Sequence, residues 1–219
     1  MATFGELQTE IAQKLDQDYL ALQISTAINR TITYLQPFHF WFNTATSAIT
    51  LNTNDPIVPD IPSDFQYEFT SGGLVIVNSQ MRYPLQKLHE VQYDLANVNG
   101  QGLPYIYCNR NGNLEVYYYP DQEYTLNLYY VKKYADLVNS NDTNDWTNNA
   151  VRLIVAQTLA DLYLDQRKSK DDYSFYKGVA QDELSDLQRR NKRRISTGQL
   201  VTDSFLTRST DGYYPYYHY

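Results

Sequence analysis

The sequence predicts an α+β protein: a four-helix bundle of two N-terminal and two C-terminal helices, an inserted antiparallel β domain and an extended C-terminal arm. Apolar side chains recur at spacings of three and four near both ends of the chain, as in amphipathic helices. The middle instead holds short β-branched and aromatic runs separated by turn residues. The predicted boundaries are residues 1–37 and 145–195 for the bundle, 38–138 for the β domain and 196–219 for the arm.

The first two helices are predicted from their start and stop signals. Thr3 and Glu6 have the spacing of a capping box. A second helix is expected to begin near Asp18 and to end before Pro37, which cannot continue a helix. The apolar stripe of the first helix is Phe4, Leu7, Ile11 and Leu15, and that of the second is Ala21, Ile24, Ala27, Ile28, Thr31 and Leu35. A short loop between them predicts an antiparallel helical hairpin.

The middle third is predicted to form an antiparallel sheet or a small sandwich. Its turns are expected at Asn78–Gln80 and Asn109–Gly112, which contain residues typical of hairpins. His89 to Asn97 is expected to form a short helix over the sheet. The predicted strands are Ala48–Leu51, Leu74–Val77, Arg82–Leu85, Leu103–Tyr107, Leu114–Tyr119 and Tyr124–Val131.

Two further helices follow the β domain. The polar linker Asn139–Asp145 is rich in capping residues, and a third helix is expected to run to about Gln166. Ser169 and Asp172 form a second capping-box pattern for the fourth helix. The apolar positions are Val151, Ile154, Val155, Leu159 and Leu162 in the third helix and Tyr173, Tyr176, Ala180, Leu184 and Leu187 in the fourth. Because each helix pair has one apolar face, packing the pairs together gives the predicted bundle.

Composition limits the possible functions. The 219 residues carry a formal net charge of -7, which argues against a surface built to grip nucleic acid but suits one that DNA passes without sticking. The single cysteine, Cys108, excludes an internal disulfide framework and is expected to be a buried thiol. No secretory signal is recognised at the N-terminus. The most apolar stretch, Val151–Leu164, contains Arg152 and Asp161, so no membrane span is predicted.

No catalytic, cofactor-binding or metal-binding residues are predicted, and the chain is expected not to be an enzyme. The histidines His39, His89 and His218 do not lie in a triad or metal-ligand pattern. His39 is expected to be packed or to cap a helix.

Two carboxylate and tyrosine patterns leave alternatives open. Glu115, Asp121 and Glu123 are the remaining candidates for glycoside hydrolysis, although carboxylates are common at hairpin ends. The tyrosines of Tyr117–Tyr119 and Tyr129–Tyr130 are either a stacking platform for sugars or, as we favour, ordinary cross-strand packing.

The C-terminal region is predicted to bind a partner. One or two cations at a helix end complement the helix dipole, and the surplus suggests an anionic partner, either an acidic protein ring or passing DNA. Tyrosine offers rigid contact area with a hydroxyl for hydrogen bonding, and the chain contains 22 tyrosines. The predicted partner-binding residues are Arg189, Arg190, Lys192, Arg193, Arg194, Tyr213, Tyr214, Pro215, Tyr216, Tyr217 and Tyr219.

The order and spacing of several segments resemble a known family. These segments are Thr3–Leu15, Ala27–Arg30, Trp41–Thr46, Ile61–Phe65 and Glu183–Asn191. Together they resemble, over roughly residues 3 to 195, the head-to-tail adaptor proteins of short-tailed bacteriophages, which include tail tubular protein A and the tail accessory factors.

The resemblance implies a structural virion protein at the head–tail junction, assembled in the host cytoplasm. It implies a closed ring, usually of twelve copies, beneath the portal protein, with contacts to neighbouring copies and to a tail tube or nozzle protein. Genomic DNA passes through the ring without sequence-specific binding, and no membrane is involved. The β domain is expected to face the tail or the outside, and the C-terminal segment to clamp the portal.

Two other functions remain open at this point, a carbohydrate-binding or receptor-recognition part of a tail and a peptidoglycan hydrolase. The polar composition predicts that the isolated chain is monomeric or weakly associating.

Overall fold

The computed structural model describes residues 2–15, 21–69, 72–77, 82–96, 100–167 and 169–210. It describes the environments of their side chains as far as Arg194. The chain divides into two compact units. The helical unit contains residues 1–35, 40–42 and 136–219, and the β unit contains residues 36–39 and 43–135.

The helical unit begins with two amphipathic helices, α1 (Phe4–Leu15) and α2 (Ala21–Leu35). The predicted capping box is confirmed, because the Thr3 amide donates to Glu6 Oε2 at 2.9 Å and the Glu6 amide donates to Thr3 Oγ1 at 3.2 Å. The predicted start of the second helix at Asp18 lies outside the described residues. All apolar positions predicted for α1 and, from Ile24 onward, for α2 are buried. The helical period of the sequence therefore fixes which faces of these helices enter the core.

The second half of the helical unit contains α4 (Asp145–Asn149), α5 (Val151–Leu162), a π-helical turn (Tyr163–Arg167) and α6 (Lys170–Thr210). Helix α5 packs against α1, α2 and α6 and is buried on most sides, as expected for a central helix. The short helix α4 adds to the four predicted helices. The Asn144 side chain accepts from the Thr147 amide, and Thr147 Oγ1 accepts from the Asn144 amide. Such a reciprocal cap stabilises even one helical turn.

Trp146 on α4 is the centre of an aromatic cluster. Its side chain is fully buried and meets the rings of Phe40 and Phe42 edge-on, with centroids 5.6 Å and 5.0 Å away. This arrangement is the favoured geometry for aromatic pairs. The cluster attaches residues 40–42 to the helical unit.

Helix α6 is longer than predicted. The sequence predicted extended chain from residue 196, but the helix continues to Thr210. Its sequence contains no proline, and the one late glycine, Gly198, costs only about 1 kcal/mol inside a helix. The remainder of the predicted arm, residues 211–219, lies outside the described residues.

The β unit is organised around its longest strand. The described strands are β1 (Thr44–Leu51), β2 (Phe65–Glu68), β3 (Leu74–Val77), β4 (Arg82–Pro84), β5 (Gln86–Lys87), β6 (Gln101–Gly102), β7 (Ile106–Arg110), β8 (Asn113–Tyr117), β9 (Tyr119–Pro120) and β10 (Tyr124–Lys132). The longest strand, β10, pairs on one side with β1 and on the other with β2 and β3, all antiparallel, and β4 pairs with β3. A second sheet has the order β5-β7-β8, and β6 pairs with β9. The short helix α3 (Glu90–Ala96) lies close to its predicted position.

Local turn chemistry explains one hairpin, whereas two pairings depart from the prediction. Asn111 and Gly112 join β7 to β8 with φ values of 52° and 85°, so the predicted turn is confirmed as the type that Asn-Gly favours. The predicted turn at Asn78–Gln80 lies outside the described residues. The β5–β7 and β6–β9 pairs are parallel, although the sequence predicted antiparallel pairing. Parallel neighbours require long connections, which local patterns do not reveal.

The β unit has two apolar clusters. The larger one joins the inner faces of strands from both of the larger sheets, with Leu74, Leu114 and Leu126 fully buried. The smaller cluster contains Cys108, and burial raises the pKa of its thiol to about 11. The cysteine is therefore the inert buried thiol that the sequence predicted.

A charged pair also lies inside the β unit. Glu68 on β2 is 2% exposed, and Lys87 Nζ on β5 lies 2.6 Å from its Oε1 atom. Asn109 Nδ2 on β7 donates to Glu68 Oε2 at 3.3 Å. Burial and the nearby Glu68 charge raise the pKa of Tyr107. The pair connects strands of the two larger sheets.

Candidate functional site

The candidate site is the run of basic residues between Arg189 and Arg194 in α6, which we call the basic segment. Its position depends on where the helix begins. Ser169 Oγ donates to Asp172 Oδ2 at 2.6 Å and accepts from the Asp172 amide at 3.4 Å. Ser169 therefore caps the helix as predicted, but the predicted capping box is not closed, because the Ser169 amide donates to the Tyr163 carbonyl at 3.1 Å. The carboxylates of Asp171 and Asp172 also lie in the first turn, where the helix dipole favours negative charge.

One face of α6 packs on the rest of the helical unit. The Tyr176 ring stacks on Tyr163 with centroids 5.3 Å apart and an angle of 9° between the rings. Ala180 and Leu187, further along the same face, are buried. Lys177 Nζ donates to Gln157 Oε1 at 3.0 Å and so adds a polar contact to α5. These contacts fix the position of the helix as far as Leu187. The next turns of the helix therefore begin at a fixed position.

The same face continues into the basic segment. Asn191 Oδ1 accepts from the Trp41 backbone amide at 2.9 Å. The guanidinium carbon of Arg194 lies 4.4 Å from the centroid of the Trp41 ring, within the range of a cation–π contact. Residues 40–42 therefore hold α6 as far as Arg194. Sequence reasoning missed this contact, because it joins positions about 150 residues apart.

The remaining predicted cations occupy other faces of the helix. Arg189 pairs with Asp186, and its side chain is 70% exposed. Arg190, Lys192 and Arg193 are exposed. The structure therefore places the basic residues on consecutive turns of α6 and gives Arg194 an additional internal contact. Tyr213, Tyr214, Pro215, Tyr216, Tyr217 and Tyr219 lie outside the described residues.

A groove runs beside the basic segment. It has a volume of about 380 Å³ and lies between α6 and the junction of α4 with α5. Arg190 and Asp186 line it from α6, and Arg152 lines it from α5, where its Nη1 atom is 3.8 Å from Glu183 Oε1. The groove lining therefore contains both cations and carboxylates.

The comparison with protein families decides what kind of protein carries this site. A family model described as SU10 adaptor protein matches residues 2–203. The chain belongs to the SU10 adaptor protein family. No curated protein matches it. The match covers both units and the basic segment of α6.

Membership of this family makes the chain a phage adaptor, a structural protein of the virion. A phage adaptor works by contact with portal and tail proteins, which the resemblance in the sequence also implied. Within the described residues, no helix of the adaptor is long and apolar enough to cross a membrane.

Two of the three carboxylates considered for hydrolysis have structural partners in the adaptor. Glu115 Oε2 lies 3.7 Å from Arg110 Nη1, and Asp121 Oδ1 accepts from Tyr124 Oη at 2.6 Å. Glu123 is exposed in the turn before β10. No group of His, Cys, Asp and Glu side chains that could hold a metal ion occurs among the described residues.

The tyrosines and the histidine singled out in the sequence also contribute to packing. Tyr117 and Tyr130 are 4% exposed, as expected for side chains that pack between strands. Burial and a hydrogen bond to Asp64 raise the pKa of Tyr130 to about 12. The His39 ring packs against Phe69 with centroids 4.6 Å apart, and burial lowers its pKa. His218 lies outside the described residues.

Proposed function

We propose that the adaptor assembles beneath the portal protein as a closed ring of twelve copies and joins the capsid to the tail. The family match over residues 2–203 carries this proposal. A closed ring needs a different face of each copy at its two neighbours, which a two-unit chain with a polar surface can provide. The ring lies at the head–tail junction of the virion, after assembly in the host cytoplasm. On its other side it contacts a tail tube or nozzle protein.

The basic segment of α6, residues 189–194, is the proposed contact with the portal. Its exposed cations stand on a helix that is held in place as far as Arg194. Charged groups on a fixed base are suited to pairing with an acidic rim, where complementary potentials guide association. We assign the tyrosines of residues 213–219 to the same contact, because tyrosine is enriched at interfaces.

The genome is proposed to pass through the ring. Each copy carries a net charge of -7, so a ring has a strongly negative potential overall. Negative charge along the inner surface repels phosphates and lets DNA slide without sequence-specific binding.

The portal contact is tested by removing charge. Replacing Arg190, Lys192 and Arg193 with Gln is expected to weaken co-sedimentation with purified portal rings about tenfold or more at low salt. The binding of the unmodified adaptor is expected to decrease as salt rises, and that of the variant to change little, because screening acts only on charges that are present.

The matched control removes the same charge from other exposed positions. Its substitutions are Arg82→Gln, Lys133→Gln and Lys170→Gln. The control is expected to bind portal as the unmodified adaptor does. Equal loss of binding in both variants would mean that portal binding depends on net charge and not on the basic segment of α6.

A further inference from the structure

The strand β1 is an open edge of the central sheet. Among the residues that the structure describes, its only strand partner is β10, which it meets along its full length from Thr44 to Leu51. The Lys132 amide donates to the Asn43 carbonyl at 2.8 Å, which fixes the alternation of the ladder. Residues 45, 47, 49 and 51 therefore bond to β10, and the backbone groups of Thr46, Ala48 and Thr50 point away from it.

Hydrogen bonds on the far side of β10 agree with this alternation. Tyr129, opposite Thr46, donates from its amide to the Gly73 carbonyl at 2.8 Å and accepts from the Phe69 amide at 3.0 Å. Among the described residues, the outward backbone groups of Thr46, Ala48 and Thr50 make no backbone hydrogen bond. The side chains of these three residues are exposed as well. The edge is therefore open both in its backbone and in its side chains.

Two other edges of the β unit, those of β4 and β8, are protected. The opposite edge of the same sheet, β4, has only three residues and contains Arg82 and Pro84, the residue types that discourage strand pairing. The edge of β8 is covered by residues 56–58, since the Val58 amide donates to the Leu114 carbonyl and the Val116 amide donates to the Pro56 carbonyl. In contrast, β1 has eight residues, no charge, no proline and no bulge.

We propose that β1 receives an extended strand from a tail protein, which adds to the sheet at Thr46, Ala48 and Thr50. This inference rests on the proposed function, in which the basic segment of α6 contacts the portal. The three outward residues offer about six backbone hydrogen bonds, which only another extended backbone satisfies together. Because the flanking side chains are Thr and Ala, β1 offers no charge for an incoming strand to pair with.

Among the described strands, neither β1 nor the β4 edge of a second copy matches this edge in a ring. Pairing of β1 with β1 is a two-fold contact, whereas a ring needs head-to-tail contacts. Pairing of β1 with the β4 edge of a neighbour is limited to three residues, and Pro84 has no amide hydrogen to donate. The strand therefore comes from a different protein.

The test replaces one outward amide. Ala48→Pro removes a donor that β10 does not use, and proline is tolerated at an edge position whose N–H faces solvent. The melting temperature is expected to stay within a few degrees of the unmodified value. The control Ala48→Val changes the same side chain but keeps the amide. Particles are assembled with each variant as the only adaptor.

Ala48→Pro is expected to give DNA-filled heads that carry the adaptor and lack the tail, with an infectious titre reduced at least a hundredfold. Ala48→Val is expected to give complete particles at the normal titre. Complete tails at normal titre with Ala48→Pro would overturn the inference. Failure of Ala48→Pro to reach the heads would also overturn it, because the edge would then serve the portal or the neighbouring copies. Absence of the unmodified adaptor from heads would contradict the proposed function itself.

If Ala48→Pro lowers the melting temperature markedly, the double variant Thr46→Lys and Thr50→Lys replaces it. Lysine on an edge strand blocks pairing but leaves the ladder to β10 intact. Amide hydrogen exchange gives a second measurement: the outward amides of the segment 44–51 are expected to exchange at least tenfold more slowly in tailed particles than in the free adaptor. Equal exchange in both would overturn the inference.

Discussion

Deletion of residues 199–219 is expected to abolish attachment to the portal while the melting temperature stays within about 2 °C of the full-length value. The described packing contacts of α6 reach Asn191 and Arg194, so the truncation leaves them all in place. The copies around a ring each contribute one weak contact, and these add through avidity, so their joint loss has a large effect. Thermal denaturation and co-sedimentation with portal rings measure the two effects separately.

A full-length variant distinguishes the length of the C-terminal segment from its aromatic character. It carries Ser at Tyr213, Tyr214, Tyr216, Tyr217 and Tyr219. Its chain length and net charge are unchanged, so it differs from the unmodified adaptor only in the missing aromatic rings. We expect it to lose most of the portal binding that the truncation loses. Full occupancy of portal rings by the truncated adaptor would show that the segment is not a docking arm.

The second large effect is expected on stability. Lys87→Met removes the partner of Glu68, whose carboxylate is buried at 2% exposure. An unpaired buried charge costs about 3–5 kcal/mol, and the lower end applies here because the Lys87 side chain is 41% exposed. We therefore expect the free energy of unfolding in urea to fall by about 3 kcal/mol.

Two comparisons make this result specific to the buried pair. Lys133→Met, at an exposed position, is expected to change the free energy of unfolding by less than about 0.5 kcal/mol. The double variant Lys87→Met and Glu68→Gln is expected to recover most of the loss, since no buried charge remains. A loss in Lys87→Met no larger than that in Lys133→Met would contradict the assigned role of the pair.

Features that depend on local sequence were predictable. The spacing of Phe4, Leu7, Ile11 and Leu15 specifies both the helix and its buried face, and the caps at Thr3 and Ser169 mark where helices begin. The Asn-Gly turn between β7 and β8 follows from the backbone angles that these residues accept. In each case a few neighbouring residues contain the whole physical cause.

Features that depend on distant residues were not predictable. Strand β10 lies between β1 on one side and β2 and β3 on the other, an order that is set by burial of whole strands and not by any one segment. Trp146 did not stand out in the sequence, because its importance arises from Phe40 and Phe42, about one hundred residues earlier. The open edge at β1 likewise appears only once the sheet order is known.

The candidate site was partly predictable. The excess of cations at residues 189–194 indicated an anionic partner, and the structure places these cations on exposed turns within α6, which continues to Thr210. The contacts of Asn191 and Arg194 with Trp41 required the fold, since they divide the basic residues into those that hold the helix and those that face solvent.

Negative-stain images of purified portal rings, recorded with and without the adaptor, test the central claim most directly. We expect an additional coaxial layer of twelve copies on one face of the portal, while the adaptor alone sediments as a monomer or weak oligomer. Portal rings that remain bare at saturating adaptor concentration would contradict it.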